Sequence, residues 1–169
     1  MLPNNFLQNV TSTTREVYNR LVSSLALCEV DHLPAYNAIS TSMDRARQES
    51  LPPVPASIEE IDINGLWARC LEGERFLLKL DRDMGIAIFA TWNNIRALDE
   101  CKTWYPDGTF KTCPRPFSQS LVIQGMFRDR IIPLIVVLMR GKRLPQYRRV
   151  FDILKRKYRR KTGVDLQGP

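Results

Sequence analysis

Trp104-Tyr105-Pro106-Asp107-Gly108-Thr109-Phe110 puts a lone carboxylate at the end of an apolar, aromatic run, and the reading of this stretch decides the fold. A carboxylate so placed is costly to bury unless a metal ion, a base or several backbone N–H groups compensate it. Taken alone, Pro-Asp-Gly is also a strong turn signal, and turn chemistry is the simpler reading of Asp107.

The downstream residues read as two long strands and a helix. Phe117 to Phe127 alternates apolar with small or polar residues, Phe117, Leu121, Ile123 and Gly125 falling on one side. Arg128-Asp129-Arg130 is a polar turn, and Ile131 to Met139 is a continuous Ile- and Val-rich run of the kind expected for a strand buried on both faces. The short turn makes these two antiparallel. With Lys102 to Asp107 as first strand, they form a three-stranded antiparallel meander. Pro145 then opens an amphipathic helix carrying Tyr147, Val150, Phe151, Leu154 and Tyr158 at three- and four-residue spacing, with Gly163 as its stop.

Upstream, Thr11 to Glu29 and Leu33 to Ser50 read as helices, the second with Arg45 and Arg47 near its end. Such a pair either packs on the sheet or forms a small DNA-binding hairpin. Leu51-Pro52-Pro53-Val54-Pro55 is extended and semi-rigid. Arg75 to Leu80 and Ile86 to Ala90 form a hairpin around the Asp81-Arg82-Asp83-Met84-Gly85 turn, and Thr91 caps a helix reaching Cys101. The chain thus divides into a helical region (1–50), a Pro-rich linker (51–56), a hairpin with a helix (57–101) and the meander with its crossover helix (102–163).

Charge is concentrated. Residues 140–161 hold 11 Lys or Arg against the single acid Asp152, a local +10 in a chain of net +7, so the remainder sums to −3. The cations nominated for nucleic-acid contact are Lys142, Arg143, Arg148, Arg149, Lys155, Arg156, Lys157, Arg159, Arg160 and Lys161. A cluster this dense fits the phosphate backbone of DNA, a nuclear address made by residues 155–161, or a solvated helix face. The longest apolar run, Ile131 to Met139, is far below the roughly 20 residues of a membrane helix, and Met1 to Val10 lacks the basic start and apolar centre of a secretory leader. Cys28, Cys70, Cys101 and Cys113 are scattered and His32 is the one histidine, so no zinc site is expected and the thiols read as reduced and buried.

Three antiparallel strands, a first-strand carboxylate and a crossover helix are how a ribonuclease H-like fold begins. The run Thr103 to Lys111, followed by Pro116-Phe117, Gln119-Ser120-Leu121, Ile123-Gln124-Gly125, Ile132-Pro133-Leu134 and Tyr147 to Leu154, resembles the start of the catalytic domain of Mutator-like (MULE) transposases. The resemblance covers residues 33–160 and includes upstream elements such as Leu51 to Val54, Trp67 and Gly73 to Leu78. It implies an α/β (α+β) protein with a truncated ribonuclease H-like fold, metal-dependent DNA cleavage and strand transfer in the full-length enzyme, Mg²⁺ as cofactor, DNA as partner and a nuclear location, with neither a membrane nor a small-molecule substrate. Asp107 would be the first carboxylate and a metal ligand. Two cations about 3.5–4 Å apart need further carboxylates, which the family carries on a fourth strand parallel to the first and on a later helix. Residues 164–169 are too few for these, and Asp99, Glu100, Asp129 and Asp152 read as solvated charges. The expectation is therefore one third of a catalytic site, inactive by itself. Gln124, where the family commonly has His, and Gly141 to Pro145 depart from the family pattern. An alternative is a domesticated, non-catalytic DNA- or chromatin-binding module using the basic helix.

Overall fold

The computed structural model describes residues 12–30 and 32–168 and divides the chain into two units, residues 1–53 and 54–169. The reading of Met1 to Val10 and the side chain of Cys28 lie outside what is described.

In the first unit the sequence pattern predicts one helix to Glu29, but the chain forms α1 (Thr14–Ser24) and a single turn, α2 (Leu27–Val30). Leu25 interrupts them in an extended conformation. Thr13 caps α1: its hydroxyl accepts from the Glu16 amide at 3.2 Å while the Glu16 carboxylate accepts from the Thr13 amide at 2.7 Å, which satisfies donors otherwise orphaned at the first turn. The next helix, α3 (Tyr36–Ser50), starts three residues later than its apolar pattern suggests. Contacts between α1 and α3 are polar and aromatic, not a packed core: the Thr14 hydroxyl donates to Asp44 at 3.0 Å, and the Tyr18 and Tyr36 rings meet edge to face at 5.6 Å. No residue of α1 is buried.

The second unit is α+β. Its strands β1 (Leu77–Asp81), β2 (Ile86–Phe89), β3 (Trp104–Thr109), β4 (Gln119–Phe127) and β5 (Arg130–Met139) form one antiparallel sheet in the order β1-β2-β5-β4-β3. The hairpin that the sequence sets apart from the meander extends it, because β2 pairs with β5 from Ile86↔Met139 to Phe89↔Val136. The helices α4 (Trp92–Glu100) and α5 (Leu144–Thr162) share one face of this sheet, burying Ile95 and Leu98, and Val150, Ile153, Leu154 and Tyr158, against Ile86, Ile88, Leu121, Ile123, Ile135 and Val137. Each of these buried aliphatic side chains contributes about 2 kcal/mol. Gly125 makes the close approach of α4 possible, since a Cβ there would stand 2.5 Å from Cys101 Sγ. Gly163 ends α5 in the left-handed region at φ 79°, as its position after the apolar pattern predicts.

Alternation along the strands puts Val122, Val136 and Leu138 on the opposite face. One part of that face is covered by Ile58 and Ile61, which pack with Ala87 and Phe117. The part under β3 and β4 is open, and this corrects the reading of β5 as buried on both sides: Val136 and Leu138 are half-buried and Ile131 is 51% exposed. Phe117 likewise belongs to this second cluster and not with Leu121 and Ile123.

Pro-Asp-Gly does not turn. Trp104 to Thr109 pairs in continuous register with Gly125 to Ser120, and Asp107 stands opposite Val122. The Met126 amide donates to the Thr103 carbonyl at 3.1 Å, so in the antiparallel pattern Thr103, Tyr105, Asp107 and Thr109 direct their backbone groups to β4 while Trp104, Pro106 and Gly108 direct theirs to the open edge. Pro106 therefore sits where its missing N–H would have faced outward, the one register in which an edge strand tolerates proline.

The first turns of α5 are tied to the end of β1 and the turn that follows it. Arg149 Nε and Nη2 both reach Asp81 Oδ2 at 2.7 Å, the Met84 amide donates to Asp81 Oδ1 at 3.2 Å, and Gln146 Nε2 donates to the Met84 carbonyl at 3.1 Å. Asp81 is only 5% exposed. Burial pushes its carboxyl up, but the Arg149 hydrogen bond, the Met84 amide and the Arg149 charge outweigh that and hold it below the usual value. At the other end of α5, the Tyr158 hydroxyl donates to Asp99 Oδ2, and Asp99 Oδ1 accepts from the Gln167 amide at 2.8 Å. Asp99 is thus not the solvated charge expected; it ties the C-terminal segment, whose Leu166 is buried, to α4 and α5.

Replacing Arg149 with Met is expected to cost about 2 kcal/mol, less than for a fully buried pair because Arg149 remains 37% exposed. Because the Asp81 pKa is lowered on folding, the pair stabilises above the ordinary carboxylate range of about 4 and is lost as pH falls through the lower folded value. Urea titrations at neutral and acidic pH should show a smaller acid-dependent loss in the variant. The β4–β5 turn is a second test. Arg128 and Asp129 both adopt positive φ, 46° and 61°, so replacing the pair with Asn-Gly should stabilise the domain by about 1 kcal/mol in the same titration.

Candidate nucleic-acid interface

The expected metal ligand and the expected phosphate-binding helix stand on opposite faces of the sheet. Asp107, paired with Val122, points away from the face that Ile123 and Leu121 present to α5. Its carboxylate is exposed and makes no hydrogen bond or ion pair among the described residues. The cost of burial that made it conspicuous in the sequence therefore does not arise. Among the described residues, no group of three or more His, Cys, Asp or Glu could hold a metal ion, so the donor set does not fit a two-cation site. Burial raises the thiol pKa of Cys101 and Cys113, which keeps them protonated and poor ligands. Cys101 is buried as expected, whereas Cys70 and Cys113 are half-buried.

The cations of α5 separate into sets that the sequence does not distinguish. Arg148, Lys155, Arg156 and Arg159 recur at three- and four-residue spacing on the exposed side, with Asp152 among them. Arg159 lies 3.6 Å from Asp165, a pair exposed on both sides and of little worth. Arg149 differs from the other nominated cations in that its guanidinium is paired with Asp81. Lys161 lies over the Trp92 ring, 4.3 Å from its centroid, and Trp92 in turn stacks on Tyr158. Lys142 and Arg143 precede the helix and line a cleft at its N-terminus.

Lys157 is the informative member. It is half-buried, and its ammonium pKa is lowered first by that burial and then by repulsion from Arg160, Arg75 and Lys79. Arg75 precedes β1 and Lys79 lies within it, so the basic surface continues from α5 onto the sheet edge. Neither was nominated from the sequence. In the primary structure they are lone cations about eighty residues before Lys157, and only folding brings them within electrostatic reach of it. Repulsion of this kind on Lys157 would be relieved by a polyanion.

No family model, no curated protein and no solved structure matches this chain.

Because Asp107 is exposed and unpaired, Asp107→Ala should leave stability within about 0.5 kcal/mol of the parent. Addition of Mg²⁺ should shift the melting temperature of neither protein. A Mg²⁺-dependent shift that disappears in the variant would reveal a metal site that these carboxylates do not explain.

Proposed function

We propose that the chain is a DNA-binding segment of a Mutator-like transposase, gripping the phosphate backbone with the exposed side of α5 and the adjoining edge of β1. The observation that carries this reading is the row of exposed cations on α5, Arg148, Lys155, Arg156 and Arg159, in a segment that holds 11 Lys or Arg against one acid. The Thr103 to Lys111 motif and the order of a three-stranded meander followed by a helix support the transposase descent and a ribonuclease H-like core. Metal-dependent strand cleavage is not assigned to these residues alone, since among the described residues Asp107 belongs to no group of three or more potential ligands. In this reading any Mg²⁺-dependent chemistry of the complete enzyme requires carboxylates other than those described. The Lys155 to Lys161 run supports a nuclear location.

Binding of a fluorescent duplex measured across a salt series tests the proposal. Affinity should fall with a logarithmic slope of about −4, as expected when roughly five phosphates are contacted. Replacing Arg148, Lys155, Arg156 and Arg159 with Gln should flatten that slope by about 3, while Asp107→Ala leaves it in place. An unchanged slope in the fourfold variant would sink the assignment.

A further inference from the structure

Where β3 ends and α5 begins, an open cleft of about 870 Å³ is lined by Phe110, Gln119, Arg140, Lys142 and Arg143, with Asp83 also among its walls. Phe110, the last residue of the motif that dominates the sequence, leaves 54% of its surface in water, and Lys142 Nζ lies 5.7 Å from its ring centroid.

Gln119 adds a polar group of a different kind. It is only 3% exposed, and its Oε1 accepts from the Tyr147 hydroxyl at 2.9 Å, which fixes the amide plane. Among the described residues, the amide nitrogen Nε2 makes no hydrogen bond. No fully buried side-chain nitrogen is left unpaired among the described residues, so this one keeps access to the cleft. Gly108 makes room for it, since a Cβ at that position would stand 2.6 Å from Nε2. The glycine of the Asp107-Gly108-Thr109-Phe110 stretch thus lies directly beneath this amide and takes part in no turn.

We propose that this cleft binds one nucleotide of a single strand or a free nucleoside monophosphate. The base stacks on Phe110, Gln119 Nε2 donates to an acceptor on the base edge, and Arg140, Lys142 and Arg143 hold the phosphate. Stacking on an exposed aromatic ring beside a basic groove is the chemistry by which unpaired nucleotides are bound. Three cations against Asp83 leave the cleft positive enough for a phosphate. Asp107 takes no part, because it projects from the other face of the sheet. The inference deepens the DNA-binding reading by naming an unpaired nucleotide as one ligand, and it stands on residues distinct from the exposed cations of α5.

The test titrates the full chain with adenosine 5′-monophosphate, inorganic phosphate, a short oligothymidylate and a blunt duplex, following binding by NMR shifts and fluorescence anisotropy. Phe110→Ala should weaken the monophosphate and the single strand by about tenfold while Phe110→Tyr retains both. Duplex binding and its salt slope should be unaffected by either change. If the single strand binds no tighter than the monophosphate, the ligand is a free nucleotide; if it binds tighter, the ligand is a strand. Equal affinity for phosphate and the monophosphate, or indifference of both nucleotide ligands to Phe110→Ala, would overturn the proposal. Loss of duplex binding alone, with the Phe110 dependence intact, would instead count against the α5 reading. Because Phe110 is exposed, circular dichroism should report an unchanged fold for both variants.

Discussion

Everything in the second unit depends on how α5 is seated on the sheet. Val150, Ile153, Leu154 and Tyr158 fill the layer over Ile86, Ile88, Leu121 and Ile123, and that burial supplies the attraction. The apolar stripe sets which side of the helix faces the sheet. The ion pair from Arg149 to the buried Asp81 ties its first turns to the end of β1, and the Met84 amide completes the carboxylate's partners. With the helix so placed, Arg148, Lys155, Arg156 and Arg159 face water and Lys157 is half-buried. The basic surface is a consequence of the core and its anchor.

The pleat imposes the second constraint. Alternate residues of β3 belong to opposite faces, so the register Pro106↔Ile123 and Asp107↔Val122 separates Asp107 from the helices on the other face. A carboxylate and a basic helix that follow one another along the chain are thus kept apart by the thickness of a sheet. By the same alternation Gly108 lies beneath Gln119, next to the start of α5, and Phe110 beyond the strand end lines the cleft there. The motif residues flanking Asp107 therefore have a place in the structure that Asp107 does not share.

The free edge of β3 explains how Pro-Asp-Gly is accommodated. An unpaired edge invites association with another strand, and a proline whose nitrogen points outward removes one donor from it. Turn preference is a local bias of small energy, and pairing along the whole of β3 with β4 overrides it. A strand in the centre of a sheet would not have tolerated the same residue.

Local pattern in the sequence was enough to place the β1–β2 hairpin, the meander, the Thr91 cap and α5 with its Gly163 stop, because periodicity, capping and turn chemistry act over a few residues. The crowding of cations in residues 140–161 was equally visible. What it left open was which of them are available: Arg149 and Asp81 are 68 positions apart, and no local pattern announces that one will neutralise the other. The union of hairpin and meander into one sheet, the exposure of Asp107, the roles of Asp99, Arg75 and Lys79, and the cleft between Phe110 and Arg143 likewise arise from contacts between distant segments. Such contacts are selected by burial and strand register, and these exist only once the chain has folded.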